Sequence, residues 1–259
     1  MTREAVLAGR SALVTGASRG IGEAIAVAVA QAGAEVILAS RGKEALETVA
    51  KTITDSGGSA SIRPVDLCDK DDVRALAADA ATVDILVNNA GNAEVFAPLT
   101  DISDQHWEQT FAVDFWAPMM LTRDVGARMC ARGRGSIINI SSNVAQYPPP
   151  LAAAYVSAKV ALEALTRVAA MEFASSGVRC NAIAPGIIAT ELTQMMKQSA
   201  AWGFYRNAIP AGREGELSEV ADFAVWLSSD QASYITGQII NVDGGASAGN
   251  HGLLSAASG

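Results

Sequence analysis

Tyr155 and Lys159 stand at i and i+4 in a segment, Ala152 to Ser175, whose pattern predicts a helix. They therefore share one helix face, with an ammonium beside a phenol. A free tyrosine ionises near pH 10, too high for proton transfer at neutrality. A neighbouring positive charge favours the phenolate and lowers that value. A phenol tuned this way can give a proton to a carbonyl oxygen or take one from an alcohol. Ser142 lies upstream across a Pro-rich turn, Tyr147-Pro-Pro-Pro150, and its hydroxyl can hold the same oxygen. Tyr-x-x-x-Lys alone also occurs by chance in ordinary helices, so the surrounding elements decide its meaning.

Those elements alternate strictly. Strands are expected at Ser11 to Thr15, Glu35 to Ser40, Ser59 to Val65, Val83 to Asn88, Gly135 to Ser142, Val178 to Ala184 and Gln238 to Val242. Helices are expected at Gly20 to Ala32, Lys43 to Asp55, Asp69 to Ala80, Asp104 to Met129 (broken only at Pro118), Ala152 to Ser175 and Ser218 to Ser229. Alternation of this kind predicts an α/β fold, a parallel sheet with helices on both faces. Uniformly apolar strands such as Ile85-Leu86-Val87 fit strands covered on both sides. No linker divides the chain, so residues 1–259 read as a single domain. Within it, 186–217 reads as a substrate lid and 246–259 as a C-terminal tail. Pro185 to Leu217 is the one long irregular stretch, and loops of that length are often functional.

The turn Thr15-Gly16-Ala17-Ser18-Arg19-Gly20-Ile21-Gly22 follows the first strand and opens the first helix. Glycines there let the backbone approach a pyrophosphate at the positive end of a helix. The spacing is Gly-x-x-x-Gly-x-Gly rather than Gly-x-Gly-x-x-Gly. Taken with Asn88-Asn-Ala-Gly91, Ser142, Tyr155-x-x-x-Lys159 and Pro185-Gly186, it resembles the short-chain dehydrogenase/reductase family over nearly the whole chain, to Asp243-Gly-Gly245. The resemblance implies a three-layer, doubly wound Rossmann fold with a seven-stranded parallel sheet, and hydride transfer between a nicotinamide and a carbonyl or alcohol carbon. It makes Tyr155 the acid/base, Lys159 a ribose ligand that lowers the tyrosine pKa, and Ser142 the residue orienting the substrate oxygen. By the same resemblance Gly16, Ser18, Arg19, Gly20, Ile21 and Gly22 cradle the phosphates, and Asp66 and Leu67 meet the adenine. Asn89, Ala90 and Gly91 line the adenosine side. Pro185, Gly186, Ile188 and Thr190 hold the carboxamide and phosphates. Asn88 has an alternative reading as a tie between strands, and Ser141 as a structural neighbour of Ser142.

Two positions refine the picture. NAD enzymes usually end the second strand with a carboxylate for the ribose hydroxyls. Here that strand ends Ser40-Arg41, and Arg19 adds a second cation, so NADP(H) is the expected cofactor: guanidinium grips a 2′-phosphate that a carboxylate would repel. The family also carries an asparagine in the long helix before strand five, thought to hold a water linked to the lysine. The matching residue here is Asp114, which lacks the amide donor and can carry a charge. Asp114 is accordingly a candidate member of the catalytic set, and also the feature favouring a cofactor-binding scaffold or sensor with little catalysis.

Composition narrows the rest. Of 259 residues, half are apolar and 18% charged, with a formal net charge of −8. A large core can form, and an acidic chain disfavours nucleic-acid binding. Cys68, Cys130 and Cys180 show no metal or disulfide spacing, and no segment reads as a signal or membrane span, so a cytoplasmic location is expected. Neither His106 nor His251 is a candidate ligand. The walls expected around the hydride site, Glu94 to Phe96, Val144 to Pro150 and a lid containing Met195, Met196, Trp202, Phe204 and Tyr205, suggest a medium-sized, mainly apolar ketone or secondary alcohol. A 3-oxoacyl-(acyl-carrier-protein) substrate is the alternative, with Arg128, Arg132 and Arg134 as a dock for the acidic carrier. The helices Asp104 to Met129 and Ala152 to Ser175 resemble the pair that forms a four-helix interface in this family. Phe111, Phe115, Ala164, Val168 and Phe173 would serve it, giving a homotetramer.

Overall fold

Short apolar runs ending in glycine or small polar residues, each followed by an amphipathic segment, build alternating strands and helices. The computed structural model describes residues 5–92, 96–198 and 202–249. In order, the elements are β1 (Ser11–Thr15), α1 (Gly20–Gln31), β2 (Glu35–Ser40), α2 (Lys43–Asp55), β3 (Ser59–Pro64), α3 (Lys70–Asp79), β4 (Ile85–Asn88), α4 (Asp104–Phe111), α5 (Ala117–Arg132), β5 (Gly135–Ile140), α6 (Ala153–Phe173), β6 (Val178–Pro185), α7 (Glu191–Met196), α8 (Trp202–Asn207), α9 (Leu217–Ser228) and β7 (Ile239–Val242). The strands form one seven-stranded sheet in the order β3-β2-β1-β4-β5-β6-β7. Every pair is parallel. The order reverses between β1 and β4, and the crevice outside the strand ends at such a reversal is where ligands bind in sheets of this kind. Two apolar clusters cover the two faces, one including Ile25, Leu46 and Val220, the other Leu76, Leu121 and Met129.

The sheet interior is not wholly apolar. Asn88 Nδ2 donates to Asn139 Oδ1 at 2.8 Å and to Thr122 Oγ1 at 3.2 Å, and Asn139 Nδ2 donates to Thr166 Oγ1 at 2.8 Å. The chain of side chains ties β4 and β5 to α5 and α6 immediately below the site, which is the strand-tie reading of Asn88.

Two expectations are corrected. The segment expected as one helix broken at Pro118 is continuous but carries a widened π turn, Ala112–Trp116, between α4 and α5. At its end Ala117 N–H donates to Ala112 O, five residues back. Proline has no N–H and its ring clashes with the carbonyl four residues earlier, here that of Asp114; a widened turn relieves both. Pro118 then sits in the first turn of α5. The second correction is Pro185 to Leu217, which holds α7 and α8 instead of being irregular. Six residues are too few for a helical period to show in sequence, and such helices depend on their surroundings. The base of this segment is pinned where Ala189 N–H donates to Gly215 O at 2.8 Å and Gly215 N–H to Ile187 O at 2.9 Å.

Candidate active site

Three structural devices bring the chemistry to the carboxyl ends of β4 and β5. The Pro148–Pro150 run ends at Leu151, held at φ 72°, a left-handed conformation unusual for leucine, and its carbonyl accepts from Ala97 N–H at 2.9 Å. This turn starts α6 with Tyr155 and Lys159 in its first two turns. β5 stops at Ile140, so Ser142 lies just past the sheet edge; its Oγ accepts a long bond from Val144 N–H at 3.4 Å and lies beside the Tyr155 phenol, where it favours the ionised form. The π turn aims Asp114 inward.

Lys159 Nζ lies 5.4 Å from the Tyr155 ring centre, donates to Ile140 O at 2.9 Å, and sits 3.0 Å from Asp114 Oδ1. Both side chains of the ion pair are essentially inaccessible, at 3% for Lys159 and 0% for Asp114. Asp114 Oδ2 accepts from Asn92 N–H at 2.8 Å, whereas Oδ1 has the ion pair without a well-directed hydrogen bond. Gly91 backs onto the pair with no side chain to press on Oδ1.

Burial and charge act on the three groups together. Burial alone would depress the lysine, but the Asp114 carboxylate, and then Tyr155, outweigh it and hold Lys159 above its ordinary value. Burial pushes Asp114 up, against the pull of Lys159 and of the Asn92 amide. Burial also pushes Tyr155 up; Lys159 and the Ser142 hydrogen bond act downward, and Asp114 acts upward. The expected lowering of the tyrosine by Lys159 is therefore present as a field but outweighed: the net direction is up. That is a correction, and its cause is desolvation of the phenolate together with the carboxylate behind the lysine.

On the nucleotide side, Asn89 is a clamp. Its amide nitrogen donates to Thr15 O at 3.0 Å and Gly16 O at 3.3 Å. Thr15 Oγ1 in turn accepts from the backbone N–H groups of Asn89 at 3.0 Å and Ala90 at 3.2 Å. The glycine turn is thus zipped to the end of β4. A Cβ on Gly22 would lie 2.3 Å from both Asn89 Nδ2 and Gly16 O. Gly20 is different: at φ 60° it faces open space, with only Thr190 Cγ2 within 4 Å of a built Cβ, at 3.8 Å. One glycine closes the turn against β4, and the other leaves room for a ligand.

The remaining expected residues gather along the same edge. Ser18 and Ile21 are half-buried in the turn and first helical turn. Arg19 is exposed and pairs with exposed Glu191 at 3.4 Å. Arg41, exposed after β2, makes no ion pair among the described residues, and adjacent Ser40 has a buried Oγ without a partner. Arg41 is near enough to pull down the Cys68 thiol, which partial burial and Asp66 push up. Asp66 Oδ1 accepts from Cys68 N–H at 3.0 Å, and Leu67 is buried. Pro185 pairs with Val242, and Gly186 N–H donates to Val242 O at 3.0 Å. Ile188 is buried beside Gly215, and Thr190 Oγ1 accepts from Thr193 N–H at 3.3 Å. An open glycine at a helix start, two guanidinium groups and an orphaned hydroxyl at the end of β2 fit a dinucleotide bearing a 2′-phosphate.

Ser141 is turned away from this chemistry: its Oγ donates to buried Glu163 Oε1 at 2.9 Å. Glu94, Val95 and His251 lie outside the described residues, as do the side chains of Met195, Met196, Phe204 and Tyr205. Trp202 is half-buried, with Lys197 Nζ 5.7 Å from its ring centre and 2.6 Å from Glu214 Oε1. Sequence reasoning missed Asn92, whose N–H orients Asp114 and whose Oδ1 is buried without a partner. It also missed the carbonyl of Ile140. Backbone partners carry no residue-type signal, and only the position of Asn92 directly after Gly91 could have drawn attention to it.

A protein-family profile described as Enoyl-(Acyl carrier protein) reductase matches residues 16–247. Galactitol 2-dehydrogenase (L-tagatose-forming) of Cereibacter sphaeroides is 41% identical over 250 residues, covering 92% of this chain and 95% of that protein. Gluconate 5-dehydrogenase of Gluconobacter oxydans is 37% identical over 246 residues, covering 92% and 95%. A crystal structure from Beutenbergia cavernae, provisionally assigned as an NAD(P)-dependent gluconate 5-dehydrogenase and holding NADP at low occupancy, superposes with a TM-score of 0.90. It is 40% identical, with 94% of this chain and 98% of that chain covered.

Proposed function

Because this chain belongs to the short-chain dehydrogenase/reductase family, an oxidoreductase family acting on alcohol and ketone groups, we propose that it reduces a carbonyl group with NADPH. The observation that carries the reading is Lys159 Nζ 5.4 Å from the Tyr155 ring, with Ser142 beside the phenol, at the mouth of the crevice that the glycine turn closes. NADPH supplies the hydride. Tyr155 gives its proton to the carbonyl oxygen, Ser142 orients that oxygen, and Lys159 and Asp114 hold the charge behind the phenol. Arg41 and Arg19 would grip the 2′-phosphate; cations without a competing carboxylate at the end of β2 support this choice, as do NADP-bound neighbours. Gly16, Ser18, Gly20, Ile21, Gly22, Asp66, Leu67, Asn89, Ala90, Gly91, Pro185, Gly186, Ile188 and Thr190 complete the proposed nucleotide site.

The substrate we favour is medium-sized and mainly apolar. The rigid, donor-poor Tyr147-Pro-Pro-Pro150 segment just upstream of α6 supports this; the apolar cleft of about 470 Å³ lined by Pro98, Leu99, these prolines and Leu151 does not itself include Ser142, Tyr155 or Lys159. Sugar acids and alditols are the competing class, because the relatives named above act on them. The acyl-carrier alternative stands beside it, since a 3-oxoacyl-(acyl-carrier-protein) reductase of Thermotoga maritima is 34% identical to this chain; Arg128 and Arg132 keep their charge while bonding the carbonyls of Ala77, Ala81 and Val83, and Arg134 is offset by Asp84. Domain boundaries are proposed as one catalytic unit with 186–217 acting as the lid. Among the described residues no helix is long and apolar enough to cross a membrane. Three unpaired cysteines support a reducing, cytoplasmic setting. A homotetramer is proposed from the exposed apolar stripe on α6, where Val160, Val168 and Met171 are 45%, 53% and 84% accessible.

The test is steady-state turnover on apolar ketones, ketoses, 2-keto sugar acids and a 3-oxoacyl thioester, with NADPH and NADH. Preference for apolar ketones and NADPH is expected. Loss of no more than half the activity in Tyr155→Phe would sink the mechanism.

A further inference from the structure

We propose that Asp114 is a positioning residue whose carboxylate cancels the Lys159 charge at Tyr155, keeping Tyr155 a proton donor at neutral pH and placing the onset of alcohol oxidation at alkaline pH. The inference rests on the function proposed above and adds its pH dependence.

The geometry makes the cancellation effective. The two charges are 3.0 Å apart and shut off from solvent, so neither water nor salt screens them as it would a surface pair. Each is fixed by a backbone group, Asp114 by Asn92 N–H at 2.8 Å and Lys159 by Ile140 O at 2.9 Å. The carboxylate therefore cannot swing away from the lysine without leaving its amide. An isolated ammonium 5.4 Å from the phenol ring would act as a full positive charge; with Asp114 behind it, the phenol meets a compact dipole. An asparagine at this position would leave the ammonium unopposed.

Other groups around the phenol do not restore the balance. From β5, Ser141 and Ser142 are neutral. Further along α6, Glu163 is turned to Ser141 at 2.9 Å and Arg167 at 3.8 Å. On α4, His106 Nε2 is 3.4 Å from Thr110 Oγ1. After β4, Asn92 is neutral. Among the described residues, Lys159 and Asp114 are the charges that act on the phenol, in opposite directions.

The two directions then depend differently on pH. In reduction the Tyr155 O–H bond breaks and its proton forms the new O–H on the substrate while the hydride forms the new C–H; the tyrosinate is reprotonated from solvent. Reduction needs the phenol, which this site keeps at neutrality. Alcohol oxidation needs the tyrosinate, whose population falls tenfold for each pH unit below the phenol's pKa, so oxidation is confined to alkaline pH.

The proposal is tested first without cofactor or substrate. Tyrosinate absorbance is titrated in wild type and in Asp114→Asn, each with its Tyr155→Phe counterpart subtracted to remove Tyr147, Tyr205 and Tyr234. Asp114→Asn is expected to move the Tyr155 midpoint down by about 1–3 pH units. The alkaline rise of alcohol-oxidation kcat/KM, measured with any secondary alcohol that turns over, is expected to move down with it. Asp114→Ser provides a second neutral replacement and should shift the same way, which separates loss of charge from misfolding; circular dichroism checks both. An unchanged Tyr155 midpoint in both variants overturns the proposal, as does wild-type oxidation that is as fast at neutral pH as at alkaline pH. Failure of every carbonyl compound to turn over would overturn the proposed activity alone, because the titration reads Asp114 without it.

Discussion

Replacing Gly22 with alanine sets two effects against each other. Gly22 lies in the first turn of α1, and glycine to alanine inside a helix ordinarily stabilises by about 1 kcal/mol. Here the new Cβ would stand 2.3 Å from Asn89 Nδ2 and from Gly16 O, inside any real contact distance. Overpacking of this kind costs about 1–3 kcal/mol. Moving Asn89 aside also removes its bonds to Thr15 O and Gly16 O, each worth about 1 kcal/mol. The clash wins, and Gly22→Ala is expected to lose roughly 2–4 kcal/mol of stability by these magnitudes. Gly20→Ala is the comparison. Its φ of 60° strains an alanine by about 1–2 kcal/mol, but its Cβ enters open space. It should lose no more than that strain, less than Gly22→Ala, while losing NADPH affinity, because that space is the proposed phosphate cradle. Urea unfolding followed by tryptophan fluorescence and NADPH binding by fluorescence titration read the two quantities separately. Gly22→Ala as stable as wild type, or more so, would show that helix propensity prevails and that the Asn89 clamp does not constrain the turn.

Four further outcomes are expected. Tyr155→Phe should fold, bind NADPH and lose about 100- to 10,000-fold in kcat, measured by single-wavelength NADPH oxidation. Arg41→Ala should weaken NADPH by about 10- to 100-fold and leave NADH nearly unchanged, as one charge-assisted contact would; equal losses for both cofactors would refute its role. Lys159→Met strands the buried Asp114 carboxylate and should cost about 3–5 kcal/mol in urea unfolding at neutral pH, most of it recovered when Asp114→Asn is added. Since the folded state already holds Asp114 above its ordinary value, it binds that proton more tightly than the unfolded chain does; the Lys159→Met deficit should therefore shrink as pH falls through the folded value and grow as pH rises. Light scattering at micromolar concentration should give four subunits, and a monomer would rule out the α6 stripe as an interface.

Much of this was legible in the sequence because the signals are local. Apolar runs such as Ile85-Leu86-Val87 give strands, and the glycine turn between β1 and α1 marks the proposed phosphate site. Tyr155 and Lys159 share a helix face by spacing alone. The sequence was silent where partners are distant or belong to the backbone. Nothing local marks Asn89 as the clamp on Gly16, since its partners lie on β1, across the reversal of strand order. The sign of the Tyr155 shift depends on burial and on Asp114 together, which no spacing reveals. Pro118 did signal an irregularity, but proline predicts a break as readily as a widened turn. The choice between them was made by Asp114, whose inward seat on Lys159 and Asn92 the extra residue permits.

The π turn also gives this helix two phases. An extra residue in one turn rotates α4 relative to α5 by about 100° around the shared axis, the angle one residue subtends. Upstream, α4 lies against α6; downstream, α5 lies against α3 and β5. Removing a single residue between Ala112 and Trp116 would bring the two halves into one phase and rotate Asp114 off the lysine, and it would place Pro118 inside a regular helix at a cost of about 3 kcal/mol. Insertions and deletions are ordinarily expected in loops and read as neutral there. In this helix a gap of one residue would be a change of chemistry, because it would re-aim Asp114 relative to Lys159.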